Sequence, residues 1–340
     1  MDTTGQLVND KIIVEKPKDA GRLFNKSHFG KTLSENKLEL DLIEGSFLLN
    51  EGKIDIIDNK KSVDFQKIVK IASKKIADFE IKYLVFKDLR SRGHAIRLND
   101  FGFSDFKNKF VVSVFSEKNF FDLKKTKQLI KKVSKENINL WFAIVDEEGD
   151  ITYYDVSFLD LEGFCKKSNF KKNKAILLDN RVIVFDKDFS KDLFEKEFYG
   201  KAFGDGLQLS FIEALYLLEN NIIDITDFDC KKISETKLKE IFYQNDSEID
   251  YKFAVFKDLK KRNLIVKTGF KFGTDFRAYT KSPDIIHAEY LVQVVPVDFC
   301  SVWSDVSRAV RLAHSVNKEI VFASFNKKNA DYIKFGRLRP

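Results

Sequence analysis

The segment YGKAFGDGLQLSFIEALYLLENNIIDI (residues 199–225) has a counterpart earlier in the chain, FGKTLSENKLELDLIEGSFLLNEGKIDI (residues 29–56). This repetition predicts that the chain contains two copies of one architecture. The two segments align with one residue fewer in the second. Apolar residues such as Leu209, Ile212 and Leu215 recur at helical spacing, which predicts an amphipathic helix. Self-similarity of this length indicates a tandem duplication.

Matching segments lie on both sides of this pair. Before it, LVNDKIIV (7–14) and LLDNRVIV (177–184) each place two apolar runs about a turn, at Asn9-Asp10 and at Asp179-Asn180, which predicts β-hairpins. The offset between copies is 170 at first and 180 later. The later matching pairs are YLVFKDLRSRGHAIR (83–97) with FAVFKDLKKRNLIVK (253–267), FVVSVF (110–115) with YLVQVV (290–295), and LWFAIVD (140–146) with IVFASFN (320–326).

The order of these elements predicts an α/β (α+β) fold in which each copy is a small hairpin-plus-helices lobe followed by a mixed α/β lobe. Val306, Val310 and Ala313 predict a helix over 304–316 that packs on a sheet. The basic segment CKKSNFKKNKA (165–175) is typical of a flexible linker. The predicted domains are 1–78, the N-terminal lobe of the first copy; 79–165, a degenerate catalytic-like domain; 166–248, the linker and second N-terminal lobe; and 249–340, the catalytic domain.

Composition limits the possible functions. The chain has 340 residues with a net charge of +7, which allows an acidic partner such as nucleic acid. Its three cysteines are far apart, so neither a disulfide framework nor a zinc site is indicated, and we expect a cytoplasmic protein. The sequence shows neither a signal peptide nor a transmembrane run, and we expect no membrane partner. GKAFGDG (200–206) lacks the GK[ST] of a phosphate-binding loop, so no nucleotide cofactor is implied.

The change of offset from 170 to 180 points to a candidate site. Asp105-Phe106 aligns with Asp275-Phe276 at 170, whereas Phe110 aligns with Tyr290 at 180, so the second copy has ten extra residues, which we expect in one loop. His287 falls in this loop. Two further chemically useful residues lack counterparts of their own kind, since Tyr279 aligns roughly with Lys109 and Lys318 aligns with Ile138. We therefore expect the second copy to carry the activity.

These three side chains can cleave RNA without a metal ion. RNA carries its own nucleophile, the 2′-hydroxyl, so cleavage requires a base, an acid for the departing 5′-oxygen and a cation for the developing charge. His287 is the natural acid because an imidazole has an ordinary pKa of about 6.5. Tyr279 is a poor base unless a cation such as Lys318 lowers its pKa. Taken singly, a tyrosine between strands is more often a packing residue, and a lysine more often a surface residue.

Several motifs in order resemble one known family. GTDFRAY, HAEYLVQVVP, RAVRLAHSVNK and IVFASF are similar to the catalytic domain of archaeal tRNA-splicing (tRNA-intron) endonucleases, and YGKAFGDGLQLSFIEALYLLE resembles the family's N-terminal domain. Both copies share the similarity, as in the family's two-repeat homodimeric form. The resemblance implies that Tyr279, His287 and Lys318 form a catalytic triad. It also implies a metal-independent reaction, without cofactors, on the bulge-helix-bulge of precursor tRNA, leaving 2′,3′-cyclic phosphate and 5′-hydroxyl ends.

The resemblance also assigns residues for RNA binding and assembly. The family clamps a bulged base between two arginines, and Arg311 and Arg337 are the best matches, with Arg339 as the alternative; a solvated basic face is the plainer interpretation. Asp146, Glu147, Glu148 and Asp150 resemble the family's acidic loop, which inserts into a basic cleft of the opposing subunit. We expect this loop at a hairpin tip and expect its charge reversal, Asp146→Lys with Glu148→Lys, to leave monomers. The aligned second-copy segment is Asn326-Lys327-Lys328-Asn329-Ala330.

Two other functions are compatible with parts of this pattern. The chain could be a non-catalytic structural or RNA-binding subunit of a larger endonuclease, although the intact set of three residues argues against it. A metal-dependent nuclease would need paired acidic ligands, which Glu289-Tyr290-Leu291 does not supply. Cleavage by the isolated protein in EDTA separates both from the favoured function.

Overall fold

The computed structural model of the protein describes residues 3–179, 181–244, 246–326 and 329–340. The chain divides into two compact units, one of Met1–Ser157, Cys300–Val306 and Arg337–Pro340, the other of Phe158–Phe299 and Ser307–Gly336. Each unit contains a small mixed sheet with helices and a larger mixed sheet with helices. The predicted α/β (α+β) class and the tandem duplication are therefore confirmed.

The N-terminal lobe of the first unit is a mixed sheet flanked by helices. Its strands are β1 (Thr4–Val8), β2 (Lys11–Val14), β3 (Lys31–Thr32), β4 (Leu38–Leu40), β5 (Asp55–Asp58) and β6 (Lys61–Val63), in the order β3-β4-β2-β1-β5-β6. Its helices are α1 (Pro17–Gly21), α2 (Leu42–Asn50) and α3 (Phe65–Lys75), with a π-helical turn at Arg22–Lys26 and a 3₁₀ turn at Ser34–Asn36. The β1–β2 hairpin turns at Asn9-Asp10 as predicted, and Asn9 takes the left-handed conformation that asparagine tolerates.

The second lobe of this unit packs helix α4 (Phe79–Ser91) and helix α5 (Leu123–Ser134) with a larger sheet. Its strands are β7 (Ile96–Asn99), β8 (Gly102–Asp105), β9 (Phe110–Ser116), β10 (Phe120–Asp122), β11 (Asn139–Val145) and β12 (Ile151–Phe158). In the sheet the order is β12-β11-β9-β8-β7. Strands β9 and β11 are parallel because α5 carries the chain back between them, and the other neighbours are antiparallel.

A short segment from late in the chain belongs to this first unit. Strand β22 (Cys300–Val302) pairs antiparallel with β10, Phe121 lying opposite Ser301. Trp303 follows, is 1% exposed, and packs its ring near Phe115 and Phe121. A buried tryptophan fixes this segment because burying so large a side chain is strongly favourable. The repeats alone did not predict this pairing.

The N-terminal lobe of the second unit repeats the architecture of the first. Its strands are β13 (Asn173–Leu178), β14 (Arg181–Val184), β15 (Lys201–Phe203), β16 (Gly206–Leu209), β17 (Ile223–Thr226) and β18 (Lys232–Ile233), in the order β15-β16-β14-β13-β17-β18. Its helices are α6 (Lys187–Glu197), α7 (Phe211–Glu219) and α8 (Glu235–Tyr243). The β13–β14 hairpin is confirmed, although Asn180 of its turn lies outside the described residues. Leu209 belongs to β16 and not to the predicted helix, because Ser210 caps α7 with its side chain.

The last lobe carries the candidate site. Its strands are β19 (Ile265–Thr268), β20 (Phe276–Tyr279), β21 (Tyr290–Val294), β23 (Glu319–Phe325) and β24 (Ala330–Leu338), in the order β19-β20-β21-β23-β24, with helices α9 (Ile249–Lys261) and α10 (Trp303–Ser315) and a 3₁₀ turn at Phe270–Phe272. One sheet face joins the core of α9 through Phe276, Ala278 and Val292. Because side chains alternate along a strand, Arg277 and Tyr279 lie on the opposite face.

The linker is held in place and is not the free segment that its composition suggested. Cys165 donates its backbone N–H to the Asn263 carbonyl at 2.9 Å. Further along, the Ser168 N–H donates to Glu197, whose carboxylate forms an ion pair of 3.0 Å with Lys260. Both of these charged side chains are more than 90% buried. Paired buried charges tie this basic segment to the second unit.

Candidate active site

The strand pairing shows where the second copy gained its extra residues. Leu98 on β7 pairs with Phe103 on β8, and the equivalent Thr268 on β19 pairs with Phe276 on β20. Equivalent residues of the two copies therefore differ in number by 170 in β7 and β19, by 173 in β8 and β20, and by 180 in β9 and β21. The ten extra residues are split, three in the β19–β20 turn and seven in the β20–β21 loop. The expectation of a single ten-residue loop was wrong.

This register gives Tyr279 a new counterpart. Counting on from the Phe103 and Phe276 pair, Phe106 takes the position of Tyr279, and the rough alignment with Lys109 was wrong. The Phe106 ring stacks on His28 with centroids 4.2 Å apart. In the second copy the residue equivalent to His28 is Phe198, which packs in the cluster that contains Tyr279. The first copy thus keeps the aromatic ring without the hydroxyl.

Tyr279 is the last residue of β20. It is 7% exposed and packs with Ile265 and Ala288, with Phe198 and Cys165 beside them. Its neighbour on β19 is Ile265. Tyr279 also lines a cavity of about 400 Å³ that is enclosed in part by Pro283. The ring is fixed by packing, and a cavity adjoins it.

His287 lies in the loop of residues 280–289, between β20 and β21, and its side chain is exposed. The base of the loop is closed by Thr280, whose backbone N–H and hydroxyl both donate to the carboxylate of Glu289. Ala288 is buried in the Tyr279 cluster. The buried neighbour anchors the loop and leaves the imidazole open to solvent.

Lys318 immediately precedes β23. Asn317 ends the preceding turn in the left-handed conformation, and the Lys318 N–H donates to the Ala313 carbonyl at 3.0 Å. The first copy closes its helix in the same way at Ile138, so that equivalence is sound. The Lys318 ammonium lies 5.5 Å from the centroid of the Phe272 ring. Burial lowers the pKa of Lys318, and so do the nearby charges of Lys271 and Arg277.

The sheet register brings Tyr279 and Lys318 to one level. Ala278 on β20 pairs with Tyr290 on β21, and Tyr290 pairs with Glu319 on β23. The residue after Ala278 is therefore level with the residues before Tyr290 and Glu319. These three residues are Tyr279, Glu289 and Lys318. Strands are about 4.8 Å apart, so the Cα atoms of Tyr279 and Lys318 are roughly 10 Å apart on the same face. His287 precedes Glu289 by two residues at the same edge. Tyr279 and Lys318 thus lie at the same end of the sheet, and His287 lies in the adjoining loop.

Two basic residues of this edge were not selected from the sequence. The guanidinium carbon of Arg277 lies 5.8 Å from the Tyr279 ring centroid, and the Lys271 ammonium lies 5.0 Å from the Phe272 ring centroid. Arg277 could have been found from the period of two along β20, which puts it on the same face as Tyr279. Lys271 lies in the lengthened β19–β20 turn, for which the sequence gave no signal.

The predicted RNA-binding arginines are exposed. Arg311 lies on α10 in the second unit. Arg337, near the end of β24, and Arg339 belong to the first unit. The structure therefore assigns Arg311 and Arg337 to different units.

The acidic segment forms the predicted hairpin tip, between β11 and β12. Its turn is ordered by Asp146, whose carboxylate accepts from the Glu148 and Asp150 N–H groups at 3.0 and 2.8 Å. Glu147 pairs with Lys118 at 3.1 Å. The four acidic side chains are exposed. In the aligned second-copy segment, Lys327 and Lys328 lie outside the described residues.

The described residues contain neither a membrane-spanning helix nor a cluster of potential metal ligands. No helix in the described part of the chain is long and apolar enough to cross a membrane. Residues 3–179, 181–244, 246–326 and 329–340 contain no group of three or more histidine, cysteine or acidic side chains that could hold a metal ion.

Comparison with known proteins defines the class. The profile of the family described as tRNA intron endonuclease, catalytic C-terminal domain, matches residues 249–334. The profile of the tRNA intron endonuclease N-terminal domain matches twice, at residues 3–69 and 173–239. The chain belongs to the tRNA intron endonuclease family.

Full-length relatives agree with this assignment. The chain is 35% identical to the tRNA-splicing endonuclease of Methanococcoides burtonii, covering 98% of this chain and 99% of that protein. It is 30% identical to the tRNA-splicing endonuclease of Haloferax volcanii, covering 96% and 98%. The tRNA-splicing endonuclease of Methanococcus vannielii is 40% identical over 150 residues, which are 84% of that protein and 44% of this chain. The last match has about the length of one copy.

Proposed function

We propose that the protein excises introns from precursor tRNA by cutting both strands of a bulge-helix-bulge. The observation that carries this proposal is that Tyr279 and Lys318 lie at one end of the sheet, with His287 in the adjoining exposed loop, within the lobe that matches the family's catalytic domain. A phenol and an ammonium on one sheet face, with an exposed imidazole beside them, can surround a single phosphodiester.

The reaction follows from the chemistry of these groups. The phenolate form of Tyr279 takes the proton of the 2′-hydroxyl, and the O2′–P bond forms as the P–O5′ bond breaks. His287 donates a proton to the departing O5′, and Lys318 stabilises the charge on the phosphoryl oxygens. The products are a 2′,3′-cyclic phosphate and a 5′-hydroxyl. This transfer is balanced without a metal ion or a redox cofactor.

The first copy serves as a scaffold in this proposal. It has Phe106 where the second copy has Tyr279, and Ile138 where the second copy has Lys318. Its shorter β8–β9 loop has no position for His287. A ring without a hydroxyl and an aliphatic chain cannot transfer protons, so each chain supplies one cutting site.

Two cuts per intron then require two chains. We propose a homodimer assembled through the acidic loop of Asp146, Glu147, Glu148 and Asp150, whose exposed carboxylates suit a basic cleft on the partner. Arg311 and Arg337 bind the unpaired bases of the bulge, since guanidinium groups both stack on bases and pair with phosphates.

The test is cleavage of a bulge-helix-bulge RNA by the purified protein in EDTA, with both ends of each product mapped. The proposal predicts two cuts, 2′,3′-cyclic phosphate ends and 5′-hydroxyl ends. An identical RNA with 2′-deoxyribose at each cleavage position is the matched control and should remain intact. Loss of cleavage in EDTA, or cutting of the deoxy control, would contradict the mechanism.

A further inference from the structure

Three basic side chains near the candidate site have no acidic partner. Within the described residues, no carboxylate lies within 4.0 Å of Lys271, Arg277 or Lys318. Other basic side chains of the same lobe that are shielded from solvent are paired with acids. These are Lys252, Lys260, Arg262, Lys267 and Lys334. Arg277 and Lys318, both half-buried, are the exceptions to this pattern, and Lys271 beside them is exposed.

Arg277 is the most unusual of the three. Its Nε–H is buried and has no hydrogen-bond partner within the described part of the chain. Leaving a buried donor of a charged group unpaired is energetically costly. The same guanidinium lies 5.8 Å from the centroid of the Tyr279 ring, and both side chains line one cavity of about 400 Å³. An unpaired cation therefore adjoins the phenol at an accessible cavity.

The cluster also repels itself. Burial, Lys271 and Arg277 all lower the pKa of Lys318, so the folded chain holds like charges together without compensation. A bound anion relieves this repulsion and supplies the missing acceptor for Arg277. The arrangement fits an anion-binding site better than a packing role.

The first copy lacks the same cluster. By strand pairing, Ser104 occupies the position of Arg277, and Ile138 that of Lys318. The turn that carries Lys271 is three residues shorter in the first copy. Only the second copy thus has Lys271, Arg277 and Lys318 together, whereas the first copy has a single unpaired guanidinium at this place, that of Arg97, 4.5 Å from the Phe106 ring centroid.

We propose that Arg277, flanked by Lys271 and Lys318, binds the non-bridging oxygens of the phosphate that is cut. This inference rests on the proposed function for the identity of the anion. A guanidinium presents two parallel N–H groups, which match a phosphate better than a single ammonium does. Arg277 thereby holds the phosphate beside Tyr279, while Lys271 offsets the negative charge of the bound RNA strand.

The test compares Arg277→Gln and Arg277→Lys with Lys334→Gln, which removes one positive charge from β24 of the same lobe, where Lys334 pairs with Glu319 on the sheet face opposite to that of Lys318. Single-turnover cleavage should fall by about 100-fold or more in Arg277→Gln, as for other lost oxyanion donors, and by about tenfold in Arg277→Lys. Lys334→Gln should cleave like the wild type. Circular dichroism confirms that each variant is folded.

A second measurement does not depend on cleavage. Inorganic sulfate, as a stand-in for phosphate, is titrated into each protein, and the shifts of backbone amides around Tyr279 are followed by NMR. The sulfate Kd should rise at least about tenfold in Arg277→Gln and stay unchanged in Lys334→Gln. If the wild type binds sulfate in this way but does not cut the RNA, the anion site stands and the proposed function fails. If folded Arg277→Gln cuts RNA or binds sulfate like the wild type, the inference is overturned.

Discussion

Tyr279 and Phe106 differ by a single oxygen atom at equivalent positions of the two copies. Both rings pack with aromatic neighbours, His28 in one copy and Phe198 in the other. The ring therefore has a structural role common to both, and the hydroxyl is the part that only the second copy retains. Replacing Tyr279 by phenylalanine therefore separates the packing role of the ring from the chemical role of the hydroxyl.

Tyr279→Phe should abolish cleavage without unfolding the protein. The ring and its contacts remain, so we expect the thermal midpoint to change by less than a few degrees. Loss of the proton-transfer group should lower the single-turnover rate by about 100-fold or more. Tyr290→Phe is the matched control, because Tyr290 lies on the adjacent strand with its side chain on the opposite face. Wild-type cleavage by Tyr279→Phe would remove the phenol from the mechanism.

Tyr279, His287 and Lys318 were selected from the sequence by their chemistry and by their absence from the first copy, and the fold places Tyr279 and Lys318 at the same end of the sheet with His287 in the adjoining loop. The sequence patterns did not select Arg277 or Lys271. Whether a charged side chain is paired depends on what the fold places within a few ångströms of it, and that information is absent from the order of residues. The catalytic roles themselves stay predictions.

Two buried glutamates at equivalent helix N-termini differ in pKa because only one of them has a lysine partner. Glu44 in α2 and Glu213 in α7 both accept the N–H groups of a preceding glycine and of their cap residue. Burial, and then the neighbouring Asp41, raise the pKa of Glu44 to about 8. Burial acts on Glu213 in the same direction, but the Lys267 ammonium at 2.8 Å holds its pKa below the usual value.

This difference predicts a pH-dependent stability. Because the folded pKa of Glu44 is above its ordinary 4.5, the stability it contributes is present below that value and is lost as pH rises through about 8. The slope for one proton is at most about 1.4 kcal/mol per pH unit. Glu44→Gln does not titrate, so its thermal midpoint should gain on the wild type as pH rises from 5 to 8.

Glu213→Gln provides the control for this measurement. The lowered pKa of Glu213 contributes stability above its unfolded pKa, which is lost only as pH falls through the folded value. Its difference from the wild type should stay constant between pH 5 and 8. A constant difference for Glu44→Gln over that range as well would contradict the assigned titration of Glu44.

Elements were predicted well where the signal was local. The hairpins and the helix of residues 304–316 were predicted from alternation and periodicity. The register of β8 and β20 was misjudged by three residues, because an insertion in a turn leaves no trace in the strands it joins. Hydrogen bonding across the sheet, and not local sequence, fixes such a register.

At the scale of the whole molecule, the duplication was evident from the repeats, but two long-range features were not. The pairing of β10 with β22 and the attachment of the linker through Cys165 and Ser168 join residues distant in sequence. A short strand or a basic linker carries no signal of its distant partner. The proposed homodimer likewise depends on contacts outside one chain.

The acidic loop gives a direct test of assembly. Asp146 holds the turn together, so replacing it would disturb the loop as well as its charge. Glu147→Lys with Glu148→Lys reverses the exposed charge and keeps the turn. Sedimentation velocity should show monomers for this variant and dimers for the wild type, since like charges would then face the basic cleft. An unchanged dimer dissociation constant would rule out the loop as the assembly contact.

We propose that the second copy of this chain cuts precursor tRNA with His287 at the scissile bond. The most direct measurement is the single-turnover cleavage rate of His287→Ala on a bulge-helix-bulge RNA, beside His314→Ala, an exposed histidine of the same lobe on α10. We expect the cleavage rate of His287→Ala to fall by about 100-fold or more while the variant still binds the RNA, and His314→Ala to cleave at the wild-type rate. A wild-type rate for His287→Ala would contradict it.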